Sequence, residues 1–330
     1  MSERIAEAEA LVSQSLVWDN IWPLEPSVGN DLHRLPDFRA AGYDVISLTI
    51  AGDNHTSGEA FNRVATARRR IHATEGARLV ESIAGVHAAR RAGELAVLLH
   101  FEGTRCFERN LDLIEAFYRL GVRHNLLAFN QANSVGGGCA EERDGGLTRY
   151  GKRVIAEMER IGMLLDLSHV GARTSLDALA MATKPAVFSH SNCSAIHPHF
   201  RNLTDEQIRA CAATGGLIGL SGSSIYLGDD GVKSTTIFRH LDHVVQLVGA
   251  EHACLGFDVV FETEPLNQFM RARPEEWPDA ARPDWPGVHY AQPEQLVDLT
   301  ALMLDAGYGE TAVRGILGEN LSRVCGAVWR

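Results

Sequence analysis

The sequence has no apolar run approaching the ~18 residues that a membrane helix needs, so no membrane span is expected. Its opening residues, MSERIAEAEALVSQSL, have a helical pattern. They lack a basic start, an apolar core and a small-residue cleavage site, so no secretory signal is expected. The six cysteines (Cys106, Cys139, Cys193, Cys211, Cys254 and Cys325) form no C-x-x-C pair. In a chain of this size that pattern predicts reduced thiols and a cytoplasmic protein rather than a disulfide framework. Basic residues are in deficit, with 31 Lys and Arg against 42 Asp and Glu and a net charge of −11. That balance argues against nucleic acid or an anionic membrane as the main partner. No Gly-rich phosphate turn follows the first apolar run, no G-x-S-x-G occurs, and no internal repeat is visible.

What is present is a regular alternation. Eight short apolar runs recur: SLVWD (15–19), DVISLTI (44–50), LAVLLHFE (95–102), RHNLLAFN (123–130), GMLLDLSH (162–169), PAVFSHSN (185–192), GGLIGLSG (215–222) and ACLGFD (253–258). Near-continuous apolar runs are the mark of parallel strands covered on both faces. Segments of helical period separate them. The clearest is NLTDEQIRACAATG, with Thr204 as N-cap, Asp205 and Glu206 in the first turn and Gly215 beyond the end. EAFNRVATARRRIHATEGARL reads as another helix. Alternation over 330 residues predicts an α/β fold, a single (β/α)8 TIM barrel spanning 1–330. Two long segments, 130–148 and 261–290, are expected to lie over the C-terminal mouth as lids or binding elements.

Active sites of such barrels sit at the C-terminal ends of the strands. The polar residues ending the runs are Glu102, His169, His190 and Asp258. Two imidazoles and a carboxylate converging from different strands suit a Zn²⁺-like cation. It would polarise a carbonyl and bring the pKa of a bound water to about 7. Asp258 would then serve as general base or hold a substrate ammonium.

His100 lies two residues before Glu102, so it faces the barrel interior one layer lower. A buried hydrogen-bonded role and an extra-ligand role both fit it. Arg201 could clamp a substrate carboxylate or pair with an acid of the following helix. His197 and His199 are expected to be exposed, and His33, His55, His72 and His87 to be surface residues. Ser189, His190 and Ser191 do not make a serine hydrolase, because adjacent strand residues face opposite sides. Lys184 lies at the wrong end of its strand for a Schiff-base enzyme. GLSGSS after the seventh run keeps a weak phosphate-site reading open.

From about residue 90 to the C-terminus the chain resembles the membrane (renal) dipeptidases, peptidase family M19. The resemblance rests on GLTRYGKRVIAEMERIGMLLDLSHVG, KPAVFSHSNCSAIHPHFRNLTDEQIRACAATGGLIGL, LHFEG, LGFD and GYGETAVRGILGENLSRV. It implies a (β/α)8 barrel of the metal-dependent hydrolase type that hydrolyses dipeptides, often homodimeric, with two zinc ions. Glu102 would match the bridging carboxylate, His169 and His190 the histidines of one metal, Arg201 the carboxylate-holding arginine, and Asp258 the aspartate near the substrate amine. Three positions depart from that pattern. The first-strand His-x-Asp pair falls on Ile21 and Pro23. The fourth-strand histidine falls near Phe129 and Asn130, which are expected to touch substrate. The second Asp and Gly of the eighth-strand motif fall on Val260 and Phe261.

The expectation is therefore a hydrolase of a dipeptide, or of a small amide with a free carboxylate, holding one zinc ion rather than two. Asp19 is a possible added ligand or a partner standing behind the ligands, and Ile21 and Trp22 are expected to plug the second metal's volume. The alternative is a catalytically degenerate member that binds an amino-acid-like ligand without hydrolysis.

Overall fold

The computed structural model describes residues 2–25, 29–229 and 231–330. Its strands are β1 (Trp18–Pro23), β2 (Val45–Gly52), β3 (Ala77–Leu79), β4 (Leu95–Glu102), β5 (Val122–Leu126), β6 (Leu164–Asp166), β7 (Ala186–Phe188), β8 (Leu217–Leu220) and β9 (Ala253–Leu255). The order is β2-β1-β9-β8-β7-β6-β5-β4-β3, and β2 pairs again with β4. Eight strands thus close into a parallel barrel with helices between them, and β3 pairs with β4 outside that ring. This is the (β/α)8 fold that the run-and-helix alternation predicts.

The strand period of two divides each strand between two environments. Trp18, Val45, Leu98, Leu164, Val187, Leu217 and Cys254 form one apolar cluster with Leu321, Val324 and Val328 of the last helix, Asn320–Val328. That helix closes the N-terminal end of the barrel. The alternating residues, among them Ile46, Leu48, Val97, Leu99, Phe188 and Leu220, join the larger core shared with the surrounding helices. Two glycines allow β8 and β9 to approach the segment after β7. A Cβ on Gly219 or Gly256 would come within 1.9 Å of the Ser189 carbonyl oxygen.

Two boundaries differ from expectation. The first strand begins at Trp18 and runs through Ile21, Trp22 and Pro23, with its register against β2 shifting between Asp19 and Trp22. Asp19 therefore lies inside a strand and not at its end. The helix expected over EAFNRVATARRRIHATEGARL stops at Ala73, and Ala77–Leu79 turns into β3. The capped helix after Arg201 forms as predicted over Asp205–Ala213, with Thr204 and Gln207 making a reciprocal capping box. Segment 261–290 is not a bare loop. It carries the helix Thr263–Arg271 and a small apolar cluster of Met270, Ala280, Trp285 and Val288.

Candidate metal centre and substrate cavity

Glu102 ends β4, whereas His169, His190 and Asp258 lie two or three residues beyond β6, β7 and β9. They reach the mouth by leaving the strand direction sharply. His169 (φ 62°) and Asp258 (φ 58°) adopt left-handed backbone, as does Asn130 (φ 56°) after β5. Non-glycine residues rarely do so, and such strain tends to collect at functional sites.

The structure gathers Glu102, His169 and His190 with one ligand atom from each inside a common 4.8 Å. His169 Nε2 lies 2.8 Å from His190 Nε2. Glu102 Oε1 lies 3.5 Å from His190 Nε2 and 4.0 Å from His169 Nε2.

The other nitrogen of each ring is committed. His169 Nδ1 donates to Asn130 Oδ1 at 2.6 Å, and Asn130 Nδ2 is fixed by donating to the Glu276 carbonyl at 2.8 Å. His190 Nδ1 lies 2.7 Å from Ser189 Oγ, which gives its own proton to Asp166 Oδ2 at 2.5 Å. His190 Nδ1 is therefore the donor in that pair. Burial, then the nearby Arg201 guanidinium, hold both histidines well below the usual imidazole range, so both are neutral. Two Nε2 lone pairs then face each other across 2.8 Å. That arrangement repels itself unless a cation or proton sits between. With a carboxylate alongside, the donor set fits a divalent transition metal.

Burial, reinforced by Asp258, pushes the Glu102 carboxyl well up. Asp258 is pushed up to about 8 by burial, with Arg201 opposing the shift and Asp19 adding to it. A bound cation would favour the ionised forms of both.

Glu102, His169 and Asp258 open onto a cavity of about 770 Å³, which Leu266, Phe269 and Trp277 of segment 261–290 also line. Phe129 lines it and stacks on His169, with ring centroids 4.1 Å apart. Asn130 does not face this cavity. It stands behind His169, so the expectation of direct substrate contact is corrected to a ring-orienting contact.

Arg201 does not pair with an acid of the following helix. Its guanidinium donates to Ser191 Oγ at 2.6 Å and to the His190 carbonyl at 2.7 Å, and its buried Nε has no partner. Among the described residues it has no ion-pair partner, and it borders a smaller cavity that also reaches His169.

Other placements differ from expectation. Asp19 is not gathered with the three ligands. It accepts from the backbone N–H groups of Phe257 at 3.1 Å and Ile21 at 3.3 Å, tying β1 to the turn that carries Asp258. Trp22 does not plug the mouth. After the register shift it packs on Phe38 (5.0 Å) and Phe261 (6.4 Å), in the core shared with the helices. Ile21 is fully buried and does not line the cavity, whereas Pro23 does.

Several histidine expectations are also corrected. His55 lines the cavity. His199 is largely buried, 2.7 Å from Asp279. His197 is half-buried. Ser189 and His190 do meet, because β7 has ended at Phe188; the hydroxyl is fully buried and serves Asp166.

His100 is fully buried below Glu102, with Nδ1 2.8 Å from Thr49 Oγ1 and its ring stacked on His124 at 4.0 Å. His124 and Asp166 were not singled out from the sequence. The available signal was a polar residue inside an apolar run. Asp53, also missed, anchors the mouth by accepting from the backbone of Thr104, Arg105 and Phe129 at 2.8–2.9 Å.

Among the described residues no helix is long and apolar enough to cross a membrane. All six cysteines are free. Residues 51–266 match the sequence family described as Membrane dipeptidase (Peptidase family M19). An uncharacterized protein in the pqqA 5′ region of Klebsiella pneumoniae is 32% identical over 270 residues, covering 78% of this chain and 92% of the relative. An amidohydrolase from Pseudomonas aeruginosa shares the fold with a TM-score of 0.88 at 26% identity, covering 98% of this chain and 99% of the other. A metallo peptidase from Rhodobacter sphaeroides, liganded with a phosphinate mimic of the dipeptide L-Ala-D-Ala, has a TM-score of 0.78 at 20% identity, covering 96% and 100%. The chain belongs to the membrane dipeptidase family, peptidase family M19, and is an enzyme of the metallo-dipeptidase/amidohydrolase kind.

Proposed function

We propose that this enzyme hydrolyses a dipeptide, or a small amide bearing a free carboxylate, at a mouth that holds one Zn²⁺. Glu102, His169 and His190 would be its ligands. The observation that carries this reading is the pair of Nε2 atoms 2.8 Å apart beside Glu102. When bound, the cation would polarise the scissile carbonyl and make a water nucleophile available near neutral pH.

The remaining work falls to the protein. Asp258, half-buried at the cavity wall, takes the proton of the attacking water and returns it to the leaving nitrogen. Arg201 is a buried cation that makes no direct ion pair among the described residues, and a substrate carboxylate would supply one. Leu266, Phe269 and Trp277 offer an apolar wall to a substrate side chain. A cavity of about 770 Å³ suits a ligand of dipeptide size. The Rhodobacter sphaeroides metallo peptidase, which has the same fold and carries a dipeptide mimic, supports this substrate class. A single metal is supported by β1, which offers Ile21 and Pro23 where side-chain donors would be needed for another. In this reading residues 1–330 act as one domain, with segments 130–148 and 261–290 flanking the mouth.

The test is release of free amino acids from a panel of dipeptides and their C-terminal amides, before and after metal removal and zinc return. Zinc-dependent cleavage of the free-acid dipeptides is expected. Zinc-loaded protein that leaves every dipeptide intact would refute the reading and favour a ligand-binding role.

A further inference from the structure

The interior layer beneath the mouth carries a trio that the proposed function does not use. His100 of β4, His124 of β5 and Asp166 of β6 are all buried, and one ligand atom from each lies within a common 4.8 Å. Adjacent strands bring them together, since His100 pairs in register with His124. In (β/α)8 barrels such interior layers are ordinarily filled by branched apolar side chains. Here the apolar filling stops at Leu98 and Leu164, and two imidazoles and a carboxylate replace it.

We propose that His100 Nε2, His124 Nε2 and Asp166 Oδ2 form a second, buried binding site for a divalent transition metal such as Zn²⁺, separate from the mouth.

Three observations carry this. Both Nε2 atoms are buried, and neither makes a well-aligned hydrogen bond, although the Asp166 carboxylate stands close to each. Burying such nitrogens without an aligned partner is costly, and a cation between the two rings and the carboxylate would satisfy all three groups. Both lie close to one oxygen: Asp166 Oδ2 is 3.2 Å from His124 Nε2 and 3.5 Å from His100 Nε2. Tetrahedral zinc with bonds of about 2.0–2.1 Å sets neighbouring ligand atoms about 3.3–3.4 Å apart. The observed separations bracket that edge.

The tautomer of His100 can also be set. Thr49 Oγ1, 2.8 Å from His100 Nδ1, can take that nitrogen's proton and leave Nε2 free to ligate. Asp166 is held from behind by the backbone N–H groups of Ser168 and Ser189, each 3.0 Å from Oδ1, while Oδ2 accepts the Ser189 hydroxyl at 2.5 Å and keeps a further lone pair on the side of the two rings. His100 precedes Glu102 by two residues, so this site lies roughly 7 Å deeper than the mouth. It uses none of the mouth's three ligands.

The experiment is the zinc content of protein purified with zinc, for wild type, His124→Gln and His190→Ala, together with an anomalous-scattering map of wild-type crystals at the zinc edge. Two equivalents are expected in wild type and one in each variant. The map should show a peak among His100, His124 and Asp166. A wild-type map with no density at that trio overturns the inference, as does a folded His124→Gln that keeps both equivalents. If His124→Gln does not fold, the wild-type map decides. Loss of the proposed mouth metal would appear independently, as no peak between Glu102, His169 and His190.

Discussion

Asn130 Oδ1 accepts a hydrogen bond from His169 Nδ1 at 2.6 Å, and the amide is itself anchored by the Glu276 carbonyl. This contact sets both the tautomer and the tilt of the ring. Partners of this kind typically contribute 10–100-fold to metal affinity. Asn130→Ala is therefore expected to weaken zinc at the mouth by about 10–100-fold while leaving the fold intact. Activity titrated against free zinc measures it, and an unchanged midpoint would show that the contact does not position the ring.

Arg201 is expected to read the substrate carboxylate. Truncating one partner of a buried charged pair costs about 2–5 kcal/mol. Arg201→Met should lower kcat/KM for free-acid dipeptides by roughly 30-fold or more. C-terminal amides should be poor substrates for wild type and lose little further in the variant. Equal loss on acids and amides would assign Arg201 to holding Ser191 and the His190 carbonyl alone.

Asp19 gives a pH signature. Burial pushes its carboxyl up to about 7, against the opposing hydrogen bonds from the backbone of Ile21, Phe257 and Asn20. The folded state therefore holds a proton that the unfolded chain releases near pH 4. This contribution is fully present below about pH 4 and is lost as the pH rises through about 7. A three-unit shift corresponds to roughly 4 kcal/mol at most. Denaturant unfolding of metal-free protein should show stability falling across that window, and Asp19→Asn should flatten the fall. An unchanged slope in Asp19→Asn would refute the assignment.

Trp277 packs edge-on against Phe129 (5.7 Å) and Phe269 (5.5 Å), giving segment 261–290 a fixed place at the cavity wall. Trp277→Ala is expected to raise KM for dipeptides with large apolar side chains by about fivefold, as loss of an aromatic contact of ~1 kcal/mol implies. KM for dialanine-like substrates should move less. Steady-state kinetics on both classes decide it.

The barrel was legible because apolar runs and helical segments alternate, and so was the mouth, because Glu102, His169, His190 and Asp258 recur at equivalent steps. The residues that hold them were not. Alternation says which face a strand residue takes, but His169, Asn130 and Asp258 have left their strands in left-handed backbone. The shift in β1 was hidden for a related reason: a bulge adds no distinctive residue, yet it turned Trp22 from an expected plug into part of the outer core. His124 and Asp166 looked like breaks in apolar runs. Only the register between strands shows that they meet His100.

The central claim is that a cation held by Glu102, His169 and His190 drives dipeptide hydrolysis. The most direct measurement is bound zinc and dipeptide cleavage on the same samples of wild type and His190→Ala. The account predicts that His190→Ala loses one equivalent of zinc and its hydrolysis together, and that wild type stripped of zinc is inactive until zinc is returned. A His190→Ala protein with the wild-type zinc content and rate, or stripped wild type that cleaves at full speed, would contradict it.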